Sequence, residues 1–294
     1  MVHGLLSTEL MTNRKKIAVI GYGYVGKAFV KMLEGHYDVL AYDPAYNQSH
    51  DFDGVHFVKC LNDLEDCVLA VVCVPTPQSP DGSCDTTYVR DSVKQLSTPL
   101  IVIKSTVTPG TTDELRTTTG KRIVFSPEYV GESKYYNPFF GSDMKEVPFV
   151  IGGGTDKDCN DFFDLLIPIL GPTKTYFKTT SLSAEVIKYM ENTFFAIKLT
   201  FVNEMYNICQ ALGADWYSVR EGWLLDPRVE RMHTAVFPSD RGFKGKCLPK
   251  DTQALVAAAK KKGYDPRFLQ EMIENNSTFI KMEQNDTSSV HGTS

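Results

Sequence analysis

The chain has no apolar run approaching the roughly 18–20 residues that a membrane span needs. Its richest stretch, Val68 to Val74, is only strand-length. The opening MVHGLLSTELM lacks the long apolar region of a secretory signal. Seven cysteines, at positions 60, 67, 73, 84, 159, 209 and 247, form no CxxC pair, and their number is odd. Neither a zinc site nor a secreted disulfide framework is expected from that pattern, so no metal is assigned and a reducing cytoplasm is the expected setting. Positive charge is not in excess either. With 31 Lys and Arg against 36 Asp and Glu the net charge is −5, which argues against a nucleic-acid or other polyanion binder. No internal repeat and no low-complexity block occurs.

What is present suits a globular protein. A chain of 294 residues with 42% hydrophobic content can bury a substantial core, in one large domain or two smaller ones. From Lys15 onward short β-rich runs alternate with helical stretches. Strands are expected at 15–20, 37–43, 68–74, 100–104, 122–125 and 148–151, with helices such as 87–96 and 157–166 between them. Ile17-Ala-Val-Ile20 has the pattern of a strand buried on both faces. The alternation predicts an α/β fold with a doubly wound, mainly parallel sheet. Past residue 180 the texture changes. From Ser183 to Leu212 there is neither Pro nor Gly, and Gly213 supplies a stop. Ser183 followed by Glu185 reads as a capped start of one long helix. That helix is too apolar on most faces to lie alone on a surface, so burial between domains or subunits is expected. The division is therefore a leader at 1–14 (with Met11 as an alternative start), a sheet domain at 15–180, a small helical domain at 181–275, and a flexible polar tail at 276–294.

Gly21-Tyr22-Gly23-Tyr24-Val25-Gly26 follows the first strand and opens a helix, and Asp43 ends the next strand. In that setting the pattern predicts a Rossmann-like dinucleotide site. The first glycine permits the turn, the second admits the pyrophosphate, and the third lets helix and strand pack. Asp43 is placed to accept from ribose hydroxyls, and its carboxylate favours NAD over NADP. Val74-Pro75-Thr76 and Lys104-Ser105-Thr106 end later strands at the edge where ligands of such folds sit, although turn punctuation and capping explain them equally well. Glu128 and Glu132 stand four apart after another strand, as a shared pocket or as an ordinary solvated loop. Lys188 and Asn192 share a face of the long helix among apolar neighbours, with Asn203 further along close to the same face. A partly buried Lys needs a partner or a function. In Gly242-Phe-Lys-Gly-Lys-Cys247-Leu-Pro-Lys-Asp251, three lysines surround one thiol, which favours the nucleophilic thiolate. Asp251 shares a helical face with Cys247 if a helix begins at Leu248-Pro249. A structural cysteine in a basic surface loop fits that composition as well.

Taken together, GYGYVG, VPTP, KSTV, SPEYVGES, AEVIKYMENTFFAIKLTFVNE, GAD, DPRV and GFKGKCLPKD resemble the UDP-glucose/GDP-mannose dehydrogenase family over roughly residues 15–260. The resemblance implies a four-electron oxidation of a nucleotide-sugar C6 alcohol to the carboxylate, using NAD, with UDP-glucose as the expected substrate. It implies that Cys247 forms a thiohemiacetal and then a thioester. Lys188 and Asn192 would stabilise the oxyanion, and Asp251 would handle protons with water. Glu128 would be the base for thioester hydrolysis, with Thr106 holding a water. NAD would be held by Gly21–Gly26, Asp43, Val74, Pro75, Thr76, Ser105, Thr106, Glu132 and Lys250. The sugar site would be lined by Glu128, Tyr129, Val130, Gly131, Glu132, Lys188, Asn192, Phe243, Lys244 and Gly245. Arg228 matches an arginine that reaches the neighbouring subunit's substrate, so a homodimer built on the 183–212 helix is expected. Two departures stand out. Family members usually continue into a further domain that binds the uridine end, and this chain has lysines at 244 and 246 in the usual GFGG-type loop. These lysines are expected to help hold the pyrophosphate. Two other functions fit less of the pattern: a single-step β-hydroxyacid-type dehydrogenase, which needs no thiol, and a non-catalytic NAD-binding or split-gene subunit, which needs none of Cys247, Lys188, Asn192 and Asp251.

Overall fold

The computed structural model describes residues 14–46, 50–52, 55–129 and 144–290. Of the segments read above, the leader up to residue 13 and Val130, Gly131 and Glu132 of the expected sugar site lie outside the described residues. The chain divides into two compact units. Within the described residues the first comprises 14–76, 86–129 and 144–185, and the second comprises 77–85 and 186–290.

The first unit is built on nine strands: β1 (Lys16–Ile20), β2 (Asp38–Tyr42), β3 (His50–Phe52), β4 (Val55–Phe57), β5 (Leu69–Val72), β6 (Ile101–Ile103), β7 (Ile123–Phe125), β8 (Phe149–Gly153) and β9 (Thr175–Thr179). They form one sheet in the order β3-β4-β2-β1-β5-β6-β7-β8-β9. Pairing is parallel except at β3–β4 and β7–β8. The central strands Leu-Ala-Val-Val, Ile-Val-Ile and Ile-Val-Phe are buried at every position, because helices cover both faces of such a sheet and no alternating polar side is needed. Those helices include α1 (Tyr24–Leu33), α2 (Thr87–Gln95), α3 (Thr111–Thr119) and α4 (Asp156–Leu170). Helix α1 buries Phe29, Val30, Met32 and Leu33 in the main core, beside Ile17, Val19 and Val71. Each such side chain contributes about 1.5–3 kcal/mol through area removed from water. The chain leaves β1 for β2 on one side and later returns to β5 on the other. The order therefore reverses between β1 and β5, and a crevice opens at their carboxyl ends.

Short edge strands escaped the sequence. β3 and β4 have three residues each, and β9 is a largely exposed edge strand whose Thr-Tyr-Phe-Lys-Thr lacks a run of buried residues. Helix α4 runs past the expected end at Leu166 to Leu170, with Pro168 inside its last turn. Burial of Leu165 and Leu166 outweighs the single hydrogen bond that the proline removes so near the helix end.

The long helix, α5 (Ser181–Leu212), starts two residues before the expected cap. Thr180, not Ser183, caps it: the Thr180 hydroxyl accepts from the Ser183 amide at 3.1 Å. Glu185 does not serve its own helix start. It is fully buried, and its carboxylate accepts from the Gly110 and Thr112 amides at the start of α3, at 2.9 Å for Thr112. Burial raises its pKa above the ordinary carboxylate value, against the lowering effect of those amides.

In the second unit α5 continues from Val186, followed by α6 (Trp216–Trp223), α7 (Leu248–Lys261) and α8 (Arg267–Val290). Helix α8 passes straight through the segment that the sequence marks as a tail from residue 276. Polar composition misleads there because two residues, Asn276 and Phe279, are buried and hold the helix down. Along α5, Val186, Met190, Phe194, Phe201, Ile208 and Leu212 remain exposed at spacings of four and seven. Among the described residues, no helix is long and apolar enough to cross a membrane.

Candidate active site

The turn after β1 has the shape its glycines require. Gly21 has φ +90°, and a Cβ there would stand 2.7 Å from the Cys73 carbonyl oxygen. A Cβ at Gly26 would stand 2.0 Å from the Gly21 carbonyl oxygen. The chain itself closes both positions. Among the described residues, nothing beyond its chain neighbours lies within 4 Å of a Cβ placed at Gly23, and no side chain caps the first turn of α1. That leaves open space against uncapped helix amides, the arrangement that receives a pyrophosphate. The Asp43 carboxylate accepts from the Tyr22 amide at 2.7 Å and the Ala45 amide at 2.9 Å. It is thereby fixed at the end of β2 with lone pairs to spare. Of the two tyrosines, Tyr24 is exposed, while Tyr22 is buried edge-on to Phe57 with centroids 5.0 Å apart. The residues at this turn fit a dinucleotide.

Next to the switch point, Ser105 donates to the Val74 carbonyl at 2.7 Å, and Ser105 and Thr76 are both buried. Lys104 was passed over as part of a strand end, yet it organises this edge. Its ammonium lies 3.3 Å from the Ser126 carbonyl, 3.4 Å from the Pro127 carbonyl and 3.5 Å from Glu128 Oε2. Glu128 is no solvated loop residue, since its side chain is 12% exposed and Lys104's is 8%. Glu128 Oε1 also accepts from the Tyr129 amide at 2.8 Å. Both charges line a pocket with Phe29, Tyr129, Phe149 and Phe162. Cys73 lies nearby, and burial pushes its thiol up to about 12, so it is inert at neutral pH.

In the second unit Cys247 is the N-cap of α7, with Pro249 in the first turn as the sequence requires. The thiol is exposed. The Cys247 carbonyl accepts from the Asp251 amide at 2.9 Å, so Asp251 lies one turn along the helix. Asp251 is 1% exposed, and its two oxygens are divided between partners. Asn192 Nδ2 donates to one at 2.5 Å and Lys250 Nζ to the other at 2.6 Å. Lys250 also reaches Cys84 Sγ at 3.4 Å. Burial works against the charge of Lys250, but Asp251 and Cys84 outweigh it and hold the ammonium above the ordinary lysine value. Lys188, one turn before Asn192, has Glu191 Oε2 at 3.6 Å and a side chain only 14% exposed. Thus Asn192, Lys250 and Asp251 are in contact, with Cys247 one helical turn away by backbone.

Other expected residues stand differently. Arg228 is exposed and folded back on Asp226, with Nε 3.0 Å from both carboxylate oxygens. Lys244 pairs with Asp240 at 3.0 Å, so its charge is partly spent, while Lys246 is exposed. Phe243 is buried beside Ala196 and Met272, and Gly245 takes a positive φ of +84°. Asn203, expected near the face of Lys188, instead accepts from Arg241 Nε at 2.7 Å and from the Gly242 amide at 3.2 Å. Arg241 and Asn276 carried no signal in the sequence, since each stands among other polar residues with nothing to mark it as buried. Lys104 carried one, as a lysine directly after Ile-Val-Ile.

The chain matches the description "UDP-glucose/GDP-mannose dehydrogenase family, NAD binding domain" over residues 55–166 and "central domain" of the same family over residues 182–278. It is 31% identical to UDP-glucose 6-dehydrogenase AglM of Haloferax volcanii, with 89% of this chain and 69% of that protein covered. It is 30% identical to UDP-glucose 6-dehydrogenase TuaD of Bacillus subtilis, where 89% of this chain spans 63% of the relative's length. In fold it resembles a UDP-glucose dehydrogenase from Pyrobaculum islandicum, with a TM-score of 0.76 at 24% identity, covering 94% of this chain and 70% of that one. A UDP-D-ManNAc dehydrogenase from Pyrococcus horikoshii gives a TM-score of 0.74 at 25% identity, over 90% of this chain and 68% of that one. With the dinucleotide turn in one unit and the thiol-bearing helix start in the other, the chain belongs to the UDP-glucose/GDP-mannose dehydrogenase family, of which it carries the NAD-binding and central domains.

Proposed function

We propose that the protein oxidises the C6 alcohol of a nucleotide sugar to the carboxylate in two steps, with UDP-glucose as the substrate to try first. The observation that carries the proposal is the buried Asn192–Asp251 contact at the first turn of the helix that Cys247 caps. A module that merely binds NAD has no use for a buried amide–carboxylate contact one helical turn from an exposed thiol. Held at Gly21–Gly26 and Asp43, with Val74, Pro75, Thr76 and Ser105 along the strand ends, NAD supplies the hydride acceptor for each oxidation.

The chain's own residues do the rest. The amide-rich end of α7 favours negative charge at Cys247, and so favours the thiolate. That sulfur adds to the aldehyde carbon, which keeps the intermediate from escaping between the two oxidations. The oxygen that becomes anionic is met by the Lys188 ammonium and the Asn192 amide. Asp251, tied to Asn192, keeps that amide oriented and exchanges protons with water. Glu128 takes a proton from the water, held by Thr106, that cleaves the thioester and frees Cys247. Phe243, Lys244, Gly245 and Tyr129 line the sugar side, and Arg228 reaches the substrate of a second copy. The exposed apolar stripe on α5 supports a homodimer, since a monomer gains nothing from leaving it in water.

The test is NADH stoichiometry with purified protein and a panel of UDP- and GDP-sugars. Two NADH per sugar are expected, and one per sugar would favour a single-step hydroxyacid-type enzyme. Cys247→Ser is expected to stop at the aldehyde level. Retention of the full two-NADH yield in that variant overturns the covalent mechanism.

A further inference from the structure

The six residues from Gly242 to Cys247 form a loop, yet its first residues are fixed as firmly as a strand. Gly242 has φ +72°, and a Cβ there would stand 2.4 Å from Asn276 Oδ1. The Gly242 amide donates to Asn203 Oδ1 at 3.2 Å, from the middle of α5. Phe243 is gripped at both of its backbone polar groups. Its amide donates to Asn276 Oδ1 at 2.6 Å, and its carbonyl accepts from Asn276 Nδ2 at 2.9 Å. Arg241 sits beneath. Its Nε donates to Asn203 Oδ1 at 2.7 Å and its Nη2 to Asn207 Oδ1 at 2.7 Å, while the guanidinium carbon lies 4.5 Å from the Tyr206 ring centroid. Asn203, Arg241 and Asn276 are each more than nine-tenths buried.

Three buried polar side chains are costly unless satisfied, and here both polar atoms of Asn276 and Asn203 Oδ1 are directed at the same short loop, while Asn203 Nδ2 is held by the Leu199 carbonyl and Arg241 ties Asn203 to Asn207. The surrounding packing does not need them. Ala196, Phe243 and Met272 form an apolar cluster that an aliphatic side chain at 276 would extend. What the amides supply, and an aliphatic side chain cannot, is a fixed backbone path for the residues leading to the thiol. We propose that Asn276, with Asn203 and Arg241, forms a clamp of positioning residues that sets where Cys247 stands. On this view α8, which follows the thiol in sequence, sets the reaction geometry through Phe243.

The inference rests on the reading of Cys247 as the nucleophile for its kinetic arm alone. Its other arm is the chemistry of the thiol itself. Asn276→Ala releases the Phe243 amide and carbonyl together, and Asn203→Ala releases the Gly242 amide. Asn203→Asp keeps both acceptor contacts and serves as the conservative rescue. Val236→Ala, in the separate cluster around Trp216, is the control for lost stability. In the folded full chain, iodoacetamide labelling of Cys247 is followed by mass spectrometry, and kcat and the KM for NAD are measured with UDP-glucose. The expected result for both alanine variants is a fall of roughly tenfold or more in kcat with the KM for NAD unchanged, as a misplacement of about 1 Å produces. Labelling of Cys247 should slow about threefold as the first turn of α7 frays and its hold on the thiolate weakens. Asn203→Asp should stay near the wild-type protein on both measures.

If both alanine variants label and turn over like Val236→Ala at matched melting temperature, the clamp is ordinary packing and the proposal falls. Should the wild-type protein reduce no NAD with any nucleotide sugar, the functional reading fails, and the labelling rates still decide the clamp.

Discussion

Two glycines three residues apart in one signature separate folding from binding. A methyl group at position 26 meets the Gly21 carbonyl at 2.0 Å, which only backbone movement can relieve. Gly26→Ala is therefore expected to lower stability by about 1–3 kcal/mol or more, read as a fall in Tm without ligand. At position 23 the same methyl group has none of the described residues' atoms within 4 Å beyond its own chain neighbours. Gly23→Ala should keep the wild-type Tm and lose NAD affinity, measured by calorimetric titration. Equal affinity in Gly23→Ala and the wild-type protein would remove the pyrophosphate from that spot. His233 offers a second check. It has φ +59° and packs tilted against Phe195 with centroids 4.4 Å apart. Burial first, then the nearby Lys198, lowers its pKa to about 4. The unfolded chain binds a proton near pH 6.5, but the folded chain resists until about pH 4, so stability falls as pH drops through that window. After discounting for partial exposure the loss is roughly 2 kcal/mol. Denaturant unfolding of His233→Asn, which tolerates the backbone conformation, should show a flatter acid limb between those pH values.

At the scale of elements, the most consequential contact is one that the start of α5 makes away from itself. Glu185 satisfies two amides at the start of α3, so helix and turn are joined by a carboxylate rather than by packing alone. Glu185→Gln keeps an oxygen for one amide and turns an NH2 group on the other. It should destabilise by about 1–3 kcal/mol, the cost of one unsatisfied buried donor. Thermal unfolding checks it, and a Tm within 1 °C or so of wild type would mean that water reaches the site. The sequence marked this glutamate as helix-start chemistry, with the wrong helix as its beneficiary. The strands were legible wherever burial is two-sided, as in Ile17–Ile20 and Leu69–Val72, because a β-branched run has few alternatives. β9 was not, since an exposed edge strand has no pattern to display. Helix α8 was hidden by its polar composition, and Asn276, which looked like the first residue of a tail, is buried.

For the molecule as a whole, the open matter is what covers α5. Met190, Phe194, Phe201 and Leu212 are each at least half exposed. A patch of that kind in water favours self-association. Light scattering coupled to size exclusion should report a dimer for the wild-type chain. Placing a charge in the stripe, as in Met190→Glu with Phe201→Glu, should yield monomers with the NAD-binding unit still folded. A monomeric wild-type chain would refute the dimer reading.

By itself the sequence determined the central strands of the sheet and the dinucleotide turn that opens α1. Those features depend on neighbours a few residues away, where glycine sterics, helix periodicity and β-branched runs act directly. It also allowed a helix start at Cys247, since Pro249 suits a first turn, but left a surface loop open as well. Only the tertiary structure decided how the buried polar groups are partnered: Glu185 with α3, Lys104 with Glu128, Asn276 with the Phe243 peptide. Each of those pairs joins segments distant along the chain except Lys104 and Glu128, which sit on the ends of adjacent strands. A buried charge or amide takes whichever complementary atom folding brings within 3 Å or so, and no local pattern records which atom that will be.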